Sequence, residues 1–253
     1  MDRSLRNFLN RLERTVNRHL VQEWRRHRIV EEETLARLFR TLAVDCVFDI
    51  GANVGGYGRM LRDYCGYDGR ILSFEPTPDV FVQLRAAALN DRLWDTYDCA
   101  LGRDEGTAKF HVHSARMGSS FLPVTENDSQ SPGNKIVHEM DVQVRNLNNL
   151  FPSLQKEFGF KRPFLKMDTQ GFDLEVFSGA CDVVDSFVGL QSELSIAPFY
   201  EGAPSWRESL KTYEQSGFAL TAFVPCNPYT EMRLREIDCI MVRRCLPAHE
   251  RPV

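Results

Sequence analysis

The segment Cys46-Val47-Phe48-Asp49-Ile50-Gly51-Ala52-Asn53-Val54-Gly55-Gly56-Tyr57-Gly58 constrains the fold more than any other part of the chain. An apolar run ends in an acid, breaks into small glycine-rich residues, and resumes as a helical pattern from Tyr57 to Tyr64, with Met60, Leu61 and Tyr64 at helical spacing. A buried strand feeding a tight turn and then a helix presents backbone amides at a sheet edge, where a nucleotide-like ligand sits. Glycine is favoured in such a turn because a side chain would block the ligand or forbid the backbone angles.

Two cofactor classes use this cradle, and spacing separates them. A dinucleotide fingerprint reads G-x-G-x-x-G, its middle glycine letting a pyrophosphate touch the backbone. Here Asn53 stands at that middle position, between Gly51 and Gly56. Its side chain crowds a pyrophosphate but can hydrogen-bond an amino-acid carboxylate. S-adenosylmethionine (SAM), which has an adenosine end and no phosphate, suits the variant better, and Asp49 can face its ammonium group. A second apolar strand, Arg70-Ile71-Leu72-Ser73-Phe74, ends in Glu75 and is closed by Pro76. An acid roughly 20 residues past the glycines binds ribose hydroxyls in nucleotide-binding α/β domains, which is the role expected of Glu75.

Strand and helix patterns continue to alternate. A helix is expected over Pro78–Asn90, a third strand over Thr96–Leu101, and shorter strands at Lys109–His113 and Met140–Val144 around a polar loop, Met117–Asn134. Beyond these lie a strand at Pro163–Asp168, a helix at Gly171–Gly179, a strand at Ser186–Glu193, a helix at Ser205–Gln215, and final strands at Phe218–Val224 and Ile237–Val242. This order predicts a Rossmann-like α/β fold, a doubly wound, mostly parallel sheet with helices on both faces. Its ligands lie beyond the carboxyl ends of the strands, so Asp49, Glu75, Asp168 and Glu193 are expected to converge. The division expected is an N-terminal helical extension over 1–43, one catalytic domain over 44–245, and a tail over 246–253.

Charge is distributed unevenly. Residues 1–30 carry eight arginines against three acids, a net of +5, leaving −9 for the remainder of a chain of formal net charge −4. Leu5, Phe8, Leu9, Leu12, Val16 and Leu20 recur at helical intervals, which predicts an amphipathic helix. That helix reads as a lid or a subunit contact, as in a homodimer, or as a basic surface against an anionic membrane, a glycolipid or an acidic substrate. The overall acidity argues against a nucleic-acid binder. No apolar stretch is long enough to span a bilayer, and the start lacks the apolar core of a secretion signal. Seven cysteines without a C-x-x-C pair favour reduced thiols and a cytoplasmic location.

The segments Phe48-Asp49-Ile50-Gly51-Ala52-Asn53-Val54-Gly55, Phe74-Glu75-Pro76, Ala100-Leu101-Gly102, Ser119-Ser120 and Leu165-Lys166-Met167-Asp168-Thr169-Gln170-Gly171-Phe172-Asp173 together resemble the FkbM family of SAM-dependent methyltransferases. The resemblance runs from about residue 45 to 243, and Lys166–Gly171 is its specific part. Asn148 departs from the family, where an acid follows the leucine. The resemblance implies SAM as cofactor and O-methylation of a hydroxyl, often on a sugar, glycolipid or polyketide. It also places Ala100, Leu101, Ser119 and Ser120 near the cofactor, beside Asp49, Gly51, Ala52, Asn53, Gly55, Tyr57, Glu75, Pro76 and Asp168.

The chemistry needs a base, because an alcohol attacking a sulfonium methyl must lose its proton. Asp168 and Glu193 are the candidates; Asp168 has an equal claim to the methionine ammonium. Ser119 and Ser120 are candidates for cofactor or acceptor hydroxyls, and Phe199, Tyr200 and Trp206 for an aromatic acceptor wall. No metal is expected: His111 and His113 share a strand face without a third ligand. Asn227-Pro228-Tyr229 reads as a turn. The competing readings are an NAD(P)-dependent oxidoreductase on the same fold and a non-catalytic binding protein.

Overall fold

The apolar and glycine-punctuated segments become, in chain order, α1 (Arg26–Leu42), β1 (Cys46–Ile50), α2 (Gly56–Asp63), β2 (Arg70–Phe74), α3 (Pro78–Ala88), β3 (Trp94–Tyr97), β4 (Ala100–Leu101), β5 (Gly106–His113), α4 (Glu126–Ser129), β6 (Ile136–Arg145), α5 (Leu147–Phe158), β7 (Pro163–Met167), α6 (Asp173–Ser178), β8 (Gly189–Ser195), α7 (Trp206–Gln215), β9 (Phe218–Pro225) and β10 (Glu236–Arg243). The structure is a computed structural model that describes residues 26–114, 119–129, 135–226 and 234–244. The expected amphipathic helix before residue 21, the Asn227–Tyr229 turn and the tail at 246–253 lie outside the described residues.

The main sheet has the order β3-β2-β1-β7-β8-β10-β9, in which β10 runs antiparallel to both β8 and β9 and the other described pairs are parallel. Alternation along the strands sorts side chains to two faces. Val47, Ile71 and Phe164 pack with Leu35, Phe39 and Leu42 of α1, Leu61 of α2 and Leu84 of α3. Phe48, Ile50, Leu72, Leu165 and Leu190 pack with Phe151 of α5, Phe177 of α6 and Tyr213 of α7. Phe48 is fully buried and meets the rings of Phe74, Phe151, Phe160 and Phe187 at centroid separations between 5.4 and 6.3 Å. Helix α1 shares the core of the sheet face it covers. None of the described helices is long and apolar enough to cross a membrane.

The strand expected over Thr96–Leu101 divides in two. Trp94–Tyr97 pairs with β2, whereas Ala100–Leu101 pairs with β6 in a separate three-stranded sheet of order β4-β6-β5. The partner that captures Ala100 lies more than 40 residues downstream, at Val144, so no local pattern reveals the break. Helix α5 escaped the sequence reading although its signals were present: Asn146 caps it through Asn148 N, Leu147, Phe151 and Leu154 are buried, and Gly159 ends it with φ 71°. Pro152 inside the helix obscured the pattern. The polar loop contains the short α4 helix, and the Ser186 end of the strand expected over Ser186–Glu193 forms a 3-10 turn instead.

Two glycines of the first turn have different duties. Gly51 has φ +75°, and a Cβ there would lie 2.0 Å from the Asp168 carbonyl oxygen. It is therefore the approach of the β7 backbone, locked by Asp168 N donating to Ile50 O at 3.1 Å, that requires glycine. Gly56 has nothing within 4 Å of its Cβ position. Gly51→Ala is expected to destabilise the fold by about 3 kcal/mol or more, through backbone strain and collision. Gly56→Ala is expected to stay within about 0.5 kcal/mol of the parent. Urea unfolding of the two variants checks this pair of outcomes.

Candidate active site at the carboxyl ends of the strands

The turn after β1, the ends of β7 and β8, the start of β10 and helix α1 enclose a cleft of about 470 Å³. This is the size of a small-molecule site, at the strand ends where an open α/β sheet binds ligands. Gly51, Asn53, Gly56 and Tyr57 line it from the turn, Asp168 and Glu193 from β7 and β8, and Phe199 and Tyr200 from the loop after β8. Glu31 and Arg28 of α1, with Glu236 and Asp238 of β10, complete its charged lining. Five carboxylates thus face the cleft against Arg28 and Lys166. Such a lining favours a cationic ligand and repels a diphosphate.

Burial and mutual repulsion perturb these acids in one direction. Desolvation, followed by the fields of Asp168, Glu236, Asp238 and Asp173, pushes Glu193 well above the ordinary carboxylate range. Asp238 stands opposite Glu193 in the β8–β10 register. Desolvation, with Glu31 and Asp168 next in effect, raises it strongly as well. Glu31 is raised by burial despite accepting a hydrogen bond from Gln191 Nε2 at 2.7 Å. Like charges at this range cannot all ionise without a counterion.

Beneath the cleft runs a buried polar chain. Trp94 Nε1 donates to Ser73 Oγ at 2.9 Å, and Ser73 Oγ donates to Asp49 Oδ2 at 2.9 Å. Asp49 Oδ1 accepts no well-aligned hydrogen bond but faces Lys166 Nζ at 3.2 Å. Lys166 also lies 3.5 Å from Asp168 Oδ2 and 5.1 Å from the centre of the Tyr57 ring. Burial acts to lower the lysine's pKa, but Asp49 and Asp168 overcome it and hold the ammonium charged. Tyr57 OH donates to Gln191 Oε1 at 3.0 Å, which ties the chain to Glu31.

The residues expected at the site divide between the cleft and its supports. Gly51, Asn53, Tyr57, Asp168 and Glu193 line the cleft together. Asp49 is fully buried behind the turn, facing Lys166. Glu75 accepts from Asn53 N at 3.1 Å through Oε2 and from Thr77 N at 2.8 Å through Oε1, so it braces the turn. Burial raises its pKa although both amides oppose the shift. Asn53, at φ 50°, folds its Oδ1 onto Val54 N at 2.7 Å. Gly51 N and Ala52 N donate to Phe74 O. Gly55, at φ 82°, packs against Leu84, Ala87 and Trp94, and Pro76 follows Glu75 half-buried.

Ala100 and Leu101 are buried in the hydrophobic clusters beside the second sheet and away from the cleft lining. Ser119 Oγ accepts from His113 N at 3.2 Å, while Ser120 Oγ donates to Gln170 O at 2.8 Å and accepts from Leu122 N. Trp206 packs partly against the main core, whereas Phe199 is stacked under the Arg235 guanidinium at 3.3 Å, itself paired to Asp128. His111 pairs with Glu139 at 3.2 Å. Among the described residues no group of three His, Cys, Asp or Glu side chains is arranged to hold a metal ion.

Several residues of the cleft carry no role assigned from the sequence. Lys166 and Gln170 flank Asp168 at period two, a pattern that continues a strand face into its turn and was open to recognition. Gln191 and Glu31 carried no local signal, since they are joined only across 160 residues.

The chain is similar in fold to fibrillarin from Aeropyrum pernix in complex with S-adenosyl-L-methionine, at 13% identity and TM-score 0.43, over 78% of this chain and 66% of that one. It is likewise similar to the fibrillarin pre-rRNA processing protein of Methanococcus jannaschii, at 9% identity and TM-score 0.46, over 80% and 68%. A third similar structure is magnesium protoporphyrin IX methyltransferase from Synechocystis PCC 6803 with bound SAM, at 10% identity and TM-score 0.43, over 87% and 89%. No curated protein matches the sequence. The methyltransferase FkbM domain matches residues 49–220, and the chain belongs to that family of SAM-dependent methyltransferases.

Proposed function

We propose that this protein transfers a methyl group from SAM to a hydroxyl of a carbohydrate, glycolipid or related natural product. The observation that carries the reading is the single cleft in which the glycine turn, Asp168 and Glu193 meet under an acidic lining. When bound, the cofactor supplies an electrophilic methyl on a cationic sulfonium. The residues present suit it: Gly56 leaves its Cβ position open on the cleft, and the excess of carboxylates complements the sulfonium and ammonium charges. Glu75, which braces the turn from the end of β2, is the proposed partner of the ribose diol. The same carboxylates oppose a dinucleotide's diphosphate and a nucleic-acid backbone. Phe199 and Tyr200 line the cleft where a neutral sugar ring is proposed to sit.

Glu193 is the proposed general base. Burial and the neighbouring carboxylates raise the pKa of its carboxyl above the ordinary carboxylate range, which makes it a stronger base once ionised. Asp168, beside the Lys166 ammonium, is assigned to the cationic cofactor. The glycine turn and Tyr57 orient it, so alignment of oxygen, carbon and sulfur supplies much of the acceleration. The basic segment 1–30 is proposed as the contact for an anionic glycolipid surface or for a second copy of the chain. A cytoplasmic location is proposed from the unpaired state of the six described cysteines.

Isothermal calorimetry should detect SAM binding and no NAD binding; NAD binding, or neither, overturns the reading. Glu75→Gln is expected to weaken SAM by about tenfold or more, the equivalent of roughly 1.4 kcal/mol. Gly56→Ala is expected to weaken SAM while leaving the urea midpoint unchanged. With labelled SAM and cell-envelope glycans, Glu193→Gln is expected to lower turnover by about 10²–10⁴ at saturating cofactor. Because the ionised carboxylate takes the proton, the wild-type rate should rise with pH through the raised pKa of Glu193. An unchanged rate in Glu193→Gln removes it as the base.

A further inference from the structure

Gln170 lies just past the end of β7 with a backbone φ of 55°, and Gly171 follows at 88°. Left-handed backbone at a non-glycine residue persists only where the surroundings hold it. Here Ser120 Oγ donates to the Gln170 carbonyl at 2.8 Å, and Ala203, Leu122 and Tyr200 crowd Gly171. The backbone turn brings the side chain back over the cleft. Gln170 Nε2 donates to Asp168 Oδ1 at 3.0 Å and to Glu193 Oε2 at 2.9 Å, while Tyr200 OH donates to Gln170 Oε1 at 2.9 Å. The amide orientation follows from this set, since a flipped amide would put its oxygen against two carboxylates.

We propose that Gln170 is a positioning residue whose amide bridges Asp168 and Glu193 and keeps both carboxylates turned toward the transferred methyl group. The proposal rests on the methyltransferase reading above, which sets the pair beside the cofactor. Both hydrogens of the amide serve carboxylate acceptors, so the bridge favours their ionised forms and offsets their repulsion. The other charges facing the pair are Lys166 on β7, Asp173 on α6, Glu236 and Asp238 on β10, and Glu31 and Arg28 on α1. The titration of Glu193 is therefore set by the whole cluster. Removing the bridge changes it.

The test uses sinefungin, a SAM analogue with a protonated amine in place of the sulfonium methyl, and S-adenosylhomocysteine, which lacks that group. Binding to the full chain is measured by calorimetry across pH. In the wild type, sinefungin affinity should fall more steeply than S-adenosylhomocysteine affinity as acid protonates the carboxylates, because both ligands keep the α-ammonium and only sinefungin carries the second cation. Gln170→Glu replaces the donors with a third carboxylate and should move the acid midpoint up by about one pH unit. Gln170→Asn suits left-handed backbone but is too short to reach both acids, and should shift the midpoint upward by less. Tyr200→Phe, which frees the amide, should shift it in the same direction. S-adenosylhomocysteine affinity should stay within about twofold in every variant, because a folded site retains its adenosine contacts.

Unshifted midpoints in Gln170→Glu and Gln170→Asn overturn the proposal, as does a parallel loss of both ligands at every pH. Failure of the wild type to bind either ligand removes the methyltransferase reading itself and the proposal with it.

Discussion

The ion pair between Lys166 and Asp49 is the constraint on which the site is built. Both residues are buried, and they are opposed in the β1–β7 register. Neither charge can be left alone there: stripping one partner from a buried pair costs about 3–5 kcal/mol because the other remains desolvated. Ser73 and Trp94 satisfy the far side of Asp49, and Asp168 and the Tyr57 ring complete the surroundings of Lys166. The pair fixes how β1, β2 and β7 meet and where their carboxyl ends lie. The cleft floor is consequently rigid and electrostatically committed before any ligand enters.

Above that floor the protein accumulates negative charge that it does not neutralise. Glu31, Glu193 and Asp238 are each pushed toward the protonated form, chiefly by burial, with Glu32 adding to the effect on Glu31, Asp168 to that on Glu193, and Glu31 and Asp168 to that on Asp238. A core selected for stability alone would not oppose Glu193 to Asp238 across a strand pair. A cationic ligand relieves the repulsion, so part of that repulsive free energy becomes affinity for the charge. Helix α1 takes part through Glu31, although it lies outside the 49–220 match to the family. A segment that the sequence separates from the catalytic domain thus supplies part of the pocket wall.

The sequence reading located the turn after β1, the acid ends of β2, β7 and β8, and the alternating architecture, since each has a short-range signature. A glycine-broken strand end and an acid before proline are visible within a dozen residues. The roles within the turn were less legible. Glycine in the turn was expected to make room for a ligand or to allow backbone angles closed to other residues; Gly51 has φ +75°, and the nearest obstruction to a side chain is the Asp168 carbonyl. Asp49 was expected to face the cofactor, and its geometry directs it to Lys166. Ser119 and Ser120 were read as ligand hydroxyls, and they hold His113 N and the Gln170 carbonyl. Except for Ser119, which lies close in sequence to His113, the competing partner comes from a strand or loop far away in the chain.

The sequence by itself determined a Rossmann-like sheet with a small-residue turn at its ligand-binding edge, because period-two and period-3.6 patterns and glycine breaks act over one or two turns of chain. It also determined the residues specific to the family, Lys166 to Gly171. Only tertiary structure decided which strand captured Ala100–Leu101 and that Glu31 of α1 reached the cleft. It likewise decided that Gln170 joined Asp168 to Glu193 under the hold of Tyr200. Those outcomes depend on pairings across tens to more than a hundred residues, where burial and charge balance choose among partners that local sequence leaves equivalent.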